Sequence, residues 1–316
     1  MNRKVKEVAR IAVIGSINID YVVETDVLPL MGETVSGKNY FLSPGGKGAN
    51  QAVAASRLGA EVALYCSIGK DENGSILLKR MSQENIDLGN VNRVEDAATG
   101  AAFIELCNGE NRILIVPGAN EFTNADYIRN ALTELLQYDV FLFQLETPIE
   151  MLEFIVPILH RQEKTIIVNP APAYRLSEKL VQMISYLIPN EHEYQTVLGT
   201  KLPYQEIIKD HPNKLIITRG KAGVTYFNGT DLVHVQSLEV NPVDTTGAGD
   251  TFSGAFAVAI GEGKSLTESI RFGNIAAGLS ILKKGAQTGM PKKDEMDEFI
   301  NIGVSSHESQ DLFKSN

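Results

Sequence analysis

Val243-Asp244-Thr245-Thr246-Gly247-Ala248-Gly249-Asp250 joins two carboxylates, two threonines and a run of small residues just ahead of the apolar segment TFSGAFAVAI. That segment predicts a buried helix over residues 251–261, and a helix N-terminus offers unpaired N–H donors and the positive end of the helix dipole. The small residues at 247–249 would let those donors face an anion such as a phosphate, with Asp250 placed to take a proton from an attacking hydroxyl. A simple helix cap explains the same letters, because Asp, Thr and Gly are common at helix starts. The string alone leaves both interpretations open.

Strand-like and helix-like patterns alternate along most of the chain, which predicts an α/β fold with a doubly wound, mostly parallel sheet and helices on both faces. The predicted strands cover 10–20, 61–68, 139–145, 165–169, 186–189, 214–218, 223–227 and 231–236, and the predicted helices cover 73–86, 124–137, 148–162, 177–185, 191–198, 251–261, 265–282 and 292–301. In such sheets ligands bind at the carboxyl ends of the strands. Asn18 and Asp20 would share a face at the end of the first strand, and Glu146 follows the strand FLFQL. Taken alone, the first pair is better explained as polar caps of a strand-to-loop turn.

Two further stretches, 21–42 and 99–117, alternate apolar and polar residues as a half-exposed sheet does. The second contains Asn108-Gly109, a hairpin signal. We group both stretches into one small β-sheet that forms a lid. The predicted organisation is then an α/β core domain of 10–20, 43–98 and 118–304, a β-sheet lid of 21–42 and 99–117, and a polar tail of 305–316.

The segment Ser43-Pro-Gly-Gly-Lys-Gly-Ala-Asn50 runs directly into QAVAASRLGA, a small-residue helix that Gly59 ends. Glycines at a helix start permit close backbone approach to a ligand, and Lys47 and Asn50 would share a helix face. A flexible glycine loop with a solvated lysine explains the glycines but does not explain the alanine-rich helix that follows at once.

The bulk composition narrows the classes of partner. With 316 residues, 43% of them apolar, the chain can form one large domain with a small appendage. A formal charge of −10 argues against nucleic acid or an anionic membrane as the main partner. Cys66 and Cys107 lie in apolar, strand-like runs, so no disulfide framework is expected and the cytoplasm is the simplest location. No apolar segment approaches the roughly 20 residues of a membrane span, and the histidines form no zinc-binding pattern.

Short motifs recur in one order along the chain: GSINID at 15–20, GGKGANQA at 45–52, TGAAF at 99–103, PGAN at 117–120, NPAPA at 169–173, PNEHE at 189–193, DTTGAGDTFSGA at 244–255 and KGAQ at 284–287. Together they resemble the ribokinase branch of the ribokinase-like carbohydrate kinases, over nearly all of residues 10–302. One such motif would be a weak signal, but so many in register make the resemblance specific.

The resemblance implies ATP-dependent phosphorylation of D-ribose at its 5-hydroxyl, with Asp250 as general base and the turn of Gly247, Ala248 and Gly249 as anion hole. Phosphoryl transfer depends mostly on positioning and charge stabilisation, which agrees with the residues. The positions that the resemblance assigns to the sugar are Asn18, Asp20, Gly46, Lys47, Gly48, Ala49, Asn50, Glu146 and Asp250. In this family such lids exclude water from the sugar and pair into a homodimer.

The resemblance also implies positions for ATP, Mg²⁺ and K⁺. Asn190 and Glu193 match an N-x-x-E element that helps to organise magnesium and phosphate. The remaining nucleotide positions are Thr218, Arg219, Gly220, Lys221, Ala222, Gly223, Gly249 and Asn274. The potassium positions, most of them acting through backbone carbonyls, are Asp244, Thr246, Ser280, Lys283, Gly285 and Gly289. Gly289 departs from the family pattern, in which a serine hydroxyl is common.

Three other interpretations compete with a ribose kinase. A kinase for 2-deoxyribose, fructose or a nucleoside would keep most of the same motifs. A catalytically silent sugar-binding relative would keep Asn18 and Asp20 but would have no need of Asp250 and the turn before it. A Rossmann dehydrogenase would need GxGxxG after the first strand, and the residues at 15–20 are GSINID instead.

Overall fold

The computed structural model describes residues 8–108 and 110–305, with side chains as far as Asn301. The strands are β1 (Arg10–Ile14), β2 (Asn18–Thr25), β3 (Asn39–Gly45), β4 (Glu61–Tyr65), β5 (Ser67–Gly69), β6 (Ile86–Asp87), β7 (Asn92–Val94), β8 (Ala101–Cys107), β9 (Glu110–Val116), β10 (Val140–Phe143), β11 (Thr165–Val168), β12 (Tyr186–Leu187), β13 (Ile216–Thr218), β14 (Val224–Phe227) and β15 (Leu232–Val235).

The helices alternate with these strands over much of the chain. They are α1 (Lys47–Arg57), α2 (Glu72–Met81), α3 (Ala125–Asn130), α4 (Leu132–Leu135), α5 (Ile149–Arg161), α6 (Glu178–Met183), α7 (Tyr194–Leu198), α8 (Tyr204–Ile207), α9 (Ala248–Gly261), α10 (Leu266–Ser280), α11 (Ala286–Gly289) and α12 (Lys293–Ser305). Short 3₁₀ turns cover Gly118–Phe122, Ile208–Asp210 and Gly220–Ala222.

Six parallel strands form the central sheet in the order β12-β11-β10-β1-β4-β6. Residues of β1 alternate between two apolar cores: Ile11 and Val13 pack on one side with α1, α9 and α10, and Ala12 and Ile14 pack on the other with α3 to α6. Single bridges at 187↔215 and 190↔218 connect this sheet to the antiparallel sheet β13-β14-β15. The prediction of an α/β fold with a mostly parallel sheet and helices on both faces is confirmed.

A second, four-stranded sheet lies apart from the central one, in the order β3-β2-β8-β9. It combines both stretches that alternate in polarity, and β8 and β9 form the expected antiparallel hairpin. β2 and β8 pair in parallel, so residues near the N-terminus meet residues about eighty positions later. We call these four strands the small sheet.

The prediction of one strand over residues 10–20 is wrong. β1 ends at Ile14, and the chain leaves the central sheet at Gly15, where an added Cβ would lie 1.8 Å from Oε1 of Gln144. Asn18 and Asp20 therefore belong to β2 of the small sheet, although their spacing of two still puts them on one face. The apolar pattern gives no sign of this break, because the residues before it in β1 and after it in β2 are both buried.

Two predicted helices also differ from the structure. The helix predicted over 73–86 ends at Met81, because Asn85 adopts a positive φ of 53° and Ile86 pairs with Val62 in the central sheet. The helix predicted over 124–137 is divided at Ala131 into α3 and α4. Of the polar tail predicted at 305–316, residues 306–316 lie outside the described part of the chain. Over the described ranges, none of the helices combines the length and apolar character needed to cross a bilayer.

Candidate active site

Helix α9 begins at Ala248, three residues earlier than the apolar pattern indicated. Gly247 precedes it with φ 78°, and a Cβ at this position would lie 2.8 Å from Cβ of Ala286. No side chain of the described residues caps this helix start, although the Ala248 N–H donates to the Thr245 carbonyl at 3.2 Å, so the other first-turn N–H groups are not used by a side-chain acceptor. Gly249 is exposed, with no atom within 4 Å of where its Cβ would be. The start of α9 therefore has both the donors and the open space that an anion needs.

The Asp250 side chain is buried and points across to α1 instead of capping its own helix. Its Oδ2 accepts a hydrogen bond from Nδ2 of Asn50 at 2.9 Å, and its Oδ1 accepts one from Nε2 of Gln51 at 3.0 Å. A carboxylate has about four acceptor positions, so two neutral amide donors leave it able to accept a further proton. This arrangement suits a general base whose direction is fixed.

Three charged side chains interact with Asp250, namely Asp20, Lys47 and Glu193, and Glu146 interacts with the first two of them. Burial and the neighbouring carboxylates Glu146 and Asp250 raise the pKa of Asp20 to about 7. Asp250 raises the pKa of the Lys47 ammonium against the effect of burial, and Glu146 and Glu193 add to the rise. Because like charges act on Asp20 and opposite charges act on Lys47, these groups form one cluster, which we call the pocket, and its described carboxylates outnumber the ammonium of Lys47. Such a surplus favours the binding of cations or of hydroxyl donors.

The start of α1 is built on close backbone contacts. Gly46 has φ 87°, and a Cβ there would lie 2.7 Å from Cα of Ile17. A Cβ on Gly48 would lie 2.6 Å from the backbone nitrogen of Ser16. Glu146 accepts from the Lys47 N–H at 3.0 Å and from Oγ of Ser16 at 2.5 Å, so the carboxylate binds the N-terminus of this helix. The glycine-rich segment is thus a fixed part of the pocket and not a loose loop.

Asn18 is held by a residue to which the sequence analysis gave no role. Its Oδ1 accepts a hydrogen bond from Nδ2 of Asn120 at 2.7 Å. Asn120 is buried, accepts from the Ile17 N–H at 2.9 Å and donates to the carbonyls of Ile17 and Pro117. With Oδ1 of Asn18 occupied in this way, the Nδ2 group of Asn18 remains to donate to a ligand.

Asn190 and Glu193 bind each other's backbone. Oδ1 of Asn190 accepts from the N–H groups of His192 and Glu193, and Oε2 of Glu193 accepts from the Asn190 N–H at 2.9 Å. Burial raises the pKa of Glu193 in spite of the Asn190 N–H and the nearby Lys47. The second carboxylate oxygen of Glu193 is available as a ligand for a hard cation such as Mg²⁺.

The segment from Thr218 to Gly223 follows β13, next to Asn190, with which Thr218 forms a bridge. Gly220, Lys221 and Ala222 form an exposed 3₁₀ turn. The guanidinium of Arg219 donates to Oη of Tyr204 at 2.6 Å and stacks on its ring. Residues 220–222 thus form an exposed surface turn, whereas the side chain of Arg219 is held against Tyr204.

Asn274 lies on α10 and is buried beneath the end of β15. Its Nδ2 donates to the carbonyl oxygens of Val235 at 3.2 Å and of Gln236 at 2.7 Å. Asn274 therefore connects α10 to the end of β15. This end of β15 lies beside the turn at Gly220–Ala222, because a Cβ on Gly223 would lie 2.3 Å from the Val235 carbonyl.

The segment before α9 is connected to the segment after α10 by the Asp244 carboxylate and by backbone bonds from Val243 and Asp244 to the Ile281 carbonyl. Asp244 accepts from the N–H of Thr246 at 2.9 Å and from the N–H of Gly285 at 2.8 Å. Burial would raise the pKa of Asp244, but these donors outweigh it and the pKa lies below its ordinary value. A Cβ on Gly289 would lie only 1.9 Å from the Ser280 carbonyl oxygen, so this backbone has no room for the serine that the family pattern favours. Lys283 lies at the surface and pairs with Glu295.

The structure therefore gathers Asn18, Asp20, Lys47, Glu146 and Asp250 around one pocket, although they come from widely separated parts of the sequence. The residues that support this pocket were not given roles from the sequence: Ser16, Gln51, Asn120, Gln144, Asn169 and Gln287. One signal was present, because several of these polar residues interrupt otherwise apolar or small-residue runs.

The fold and this pocket define an α/β protein of the ribokinase-like class with a carboxylate at the start of a buried helix. The model of the pfkB family of carbohydrate kinases matches residues 8–293. The chain belongs to this family, and the resemblance noted in the sequence is confirmed.

Individual relatives agree with this membership. A ribokinase from Bacillus subtilis is 43% identical over 291 residues, covering 92% of this chain and 99% of its own. The crystal structure of a ribokinase from Thermotoga maritima is similar with a TM-score of 0.85 and 34% identity, covering 93% of this chain and 99% of that one. The structure of an Arabidopsis thaliana ribokinase complexed with ribose and ATP is similar with a TM-score of 0.82 and 30% identity, with the same coverage.

Proposed function

We propose that this carbohydrate kinase transfers the γ-phosphoryl group of ATP to the 5-hydroxyl of D-ribose. Asp250 accepts the hydroxyl proton, the bond between the γ-phosphorus and the β,γ-bridging oxygen breaks as the new O–P bond forms, and ADP leaves. The first-turn N–H groups at 247–249 stabilise charge on the transferred group, an effect worth about 3 kcal/mol per donor in other enzymes. The similar ribokinases, one of them complexed with ribose and ATP, support this choice of substrates.

The observation that carries the proposal is the position of Asp250. It lies in the first turn of α9, where an anion can bind, and it shares a pocket with Asp20 and Glu146, whose carboxylates can bind sugar hydroxyls. A proton acceptor between a phosphate site and a polyol site has the arrangement that phosphoryl transfer to a hydroxyl requires.

The proposal is tested with ATP, Mg²⁺ and a panel of D-ribose, 2-deoxyribose, fructose and nucleosides. We expect the highest kcat/KM for D-ribose, and a loss of about 10²-fold or more on 2-deoxyribose, because a site built to hydrogen-bond a hydroxyl leaves polar groups unpaired when it is missing. A kcat/KM on 2-deoxyribose equal to or above that on ribose would assign a different substrate to the same chemistry.

We propose two places for metal ions, one in this pocket and one beside it. We propose that Glu193, positioned by Asn190, helps to hold Mg²⁺, which neutralises phosphate charge when ATP is bound. For K⁺ we propose the segment that contains Asp244, Thr246 and Gly285, where oxygen ligands suit a hard cation. Ser280 and Lys283 would contribute backbone carbonyls, whereas Gly289 contributes no hydroxyl.

Potassium should raise kcat because the cation would fix the backbone just before the anion hole. Activity and thermal melting are measured in KCl, NaCl and choline chloride at equal ionic strength. We expect both kcat and the melting temperature to be highest in KCl. Equal values in the three salts would mean that the cation site does not form in this chain, and the contact between Gly289 and the Ser280 carbonyl would then be the first cause to examine.

We further propose that residues 21–42 and 99–117 act as a lid over the sugar and that two lids pair in a homodimer. The small sheet exposes large apolar side chains on both faces: Tyr40, Phe103 and Leu114 share one face, and Ile113 lies on the other. Monomers rarely leave such a patch open to water. Sedimentation velocity should give a dimer for the wild type and a monomer for Leu114→Lys, with Leu202→Lys, an exposed leucine outside the small sheet, as the control. A monomeric wild type would reject the pairing.

The proposed location is the cytoplasm. Cys66 and Cys107 are free thiols in the structure, which suits a reducing compartment. The net charge of −10 suits a protein whose partners are small molecules and a second copy of itself more than nucleic acid or a membrane surface.

A further inference from the structure

Two chains of carboxamide side chains converge on Asp250, one on each oxygen. On the Oδ1 side, Gln144 donates from Nε2 to Oε1 of Gln51 at 2.6 Å, and Gln51 donates to Asp250. On the Oδ2 side, Gln287 donates from Nε2 to Oδ1 of Asn50 at 3.0 Å, and Asn50 donates to Asp250. All four amides are buried, and they come from α1, the end of β10 and α11.

The outer amide of each chain determines which way the inner amide faces. A carboxamide has a carbonyl at one end and an NH₂ group at the other, and a rotation of 180° would turn its oxygen toward the carboxylate. Gln51 cannot make that exchange without losing the bond from Gln144, and its NH₂ group also donates to Oδ1 of Asn169 at 3.0 Å. Asn50 is fixed in the same way by Gln287.

This geometry depends on an unusually close approach of α1 and α9. Gly254 lies one turn after Asp250, and a Cβ on it would be 2.7 Å from the Gln51 carbonyl oxygen and 2.8 Å from Cβ of Ala54. The alanines of α1 and the glycine of α9 let the two backbones come together, so that the adjacent side chains of Asn50 and Gln51 both reach the carboxylate.

We propose that Gln51 and Gln287 are positioning residues for Asp250. Gln51 holds Oδ1 through its own hydrogen bond, and Gln287 holds Oδ2 through Asn50. Together they fix both oxygens and keep the carboxylate in its proton-accepting form. The need for such donors is clear from the other charges that face Asp250. Asp20, Glu193 and Lys47 all interact electrostatically with Asp250, so hydrogen-bond donors on both oxygens hold the carboxylate in one orientation among these charges. The inference rests on the proposed general-base function of Asp250.

The test compares the pH dependence of kcat at saturating ribose and ATP for the wild type, Gln51→Met and Gln287→Met. Methionine keeps the length of the side chain but donates no hydrogen bond. Loss of a donor to a carboxylate makes protonation easier, so we expect the acidic limb of the profile to move to higher pH by about one unit in Gln51→Met and by less in Gln287→Met. We also expect kcat at neutral pH to fall by about 10-fold in Gln51→Met and by a smaller factor in Gln287→Met. The KM for ribose should change little in both variants.

Ser269→Ala is the matched control. Ser269 is buried in α10, and its hydroxyl has no hydrogen-bond partner among the described residues. Its removal therefore shows the effect of deleting a buried polar group while the amide chains stay intact. The control should leave the acidic limb in place. A variant that only loosens packing would lower kcat over the whole pH range without moving the limb.

The outcomes separate the two proposals. A wild type that does not phosphorylate any of the sugars overturns the proposed function. An active wild type whose acidic limb is unmoved in both glutamine variants overturns the positioning role alone. If Gln51→Met does not fold, Gln287→Met decides the question, because it lies on a short helix at the edge of the pocket and acts on the same carboxylate through Asn50.

Discussion

The proposed sugar side and the proposed phosphate side of this pocket are built in different ways. On the proposed sugar side, hydrogen bonds hold the side chains of Asn18, Asn50 and Glu146 in place, and Asp20 lies beside them. On the proposed phosphate side, the turns before α9 and after β13 consist largely of glycine and would act through their backbones. The difference shows that substitutions should be judged by side-chain chemistry on one side and by backbone conformation and free space on the other.

The largest effect is expected for Asp250→Asn, at the boundary of the two sides. Asn retains the shape of the side chain but cannot accept the proton, so kcat should fall by about 10²–10⁴-fold. Ribose affinity should change little, but the melting temperature should fall, because an NH₂ group at position 250 would face one of the two amide donors from Asn50 and Gln51. Steady-state kinetics, ribose binding by calorimetry and thermal melting of this variant measure all three.

A wild-type kcat in Asp250→Asn would rule out the general base. A large joint loss of stability and ribose binding would instead show that the variant disturbs the amide chains around position 250.

Gly247→Ala and Gly249→Ala test the backbone side as a matched pair. At Gly247 the φ of 78° and the contact with Ala286 should lower the free energy of unfolding by about 2 kcal/mol. At Gly249 the added methyl group meets open space within a helix, so stability should be unchanged or rise by up to about 1 kcal/mol. Its kcat should nevertheless fall by about 10-fold, because the methyl group enters the proposed phosphate site. Equal stability of the two variants would contradict this account.

Asp20→Asn tests the cost of the charged sugar side. The folded protein keeps the Asp20 proton up to about pH 7, whereas the unfolded chain loses it near pH 3.8, so ionisation lowers stability as the pH rises between these values. At pH 8 the variant should be more stable than the wild type by about 1–2 kcal/mol, after allowance for partial exposure. The gain should vanish below pH 4, and ribose binding should weaken. Thermal melts from pH 4 to 8 that show a constant difference would refute the electrostatic cause.

The smallest effect is expected for Lys283→Met. The side chain is about half exposed and its ion pair with Glu295 is a surface one, so stability should change by less than about 0.5 kcal/mol. Any stimulation by potassium should survive, since methionine retains the backbone carbonyl. Loss of the stimulation would show that the side chain, and not the backbone, supports the cation site.

The sequence was sufficient to predict the alternating α/β architecture because the periodicities of buried strands and helices are local properties. It also located Asp250 and the glycines before it at a helix start, since helix-start signals are local as well. The roles of Gln51 and Gln287 could not be predicted, because their contacts with Asp250 and Asn50 join residues about 200 positions apart. A glutamine in an apolar helix has the same local pattern whether it contacts a carboxylate or an ordinary backbone group.

The first strand shows the opposite limit of sequence reasoning. Residues 10–20 are almost uniformly buried, so hydropathy alone gives no sign that Gly15 leads the chain from one sheet to another. The side chain of Gln144 lies against Gly15 and leaves no room for a Cβ there, a contact made across about 130 residues. Gly289 is a similar case, since the Ser280 carbonyl leaves no room for a Cβ at this position.

The parallel pairing of β2 with β8 has a consequence for the order in which the protein folds. Residues 18–25 can pair early with the nearby residues 39–45, but their pairing with residues 101–107 closes a long loop, which is slow compared with forming the local β8–β9 hairpin. The small sheet should therefore close after the central sheet has begun to form, and in native-state hydrogen exchange its amides should exchange earlier than those of β1 and β10. We therefore expect Asn18 and Asp20 to lie in a sheet that is completed late and opens early.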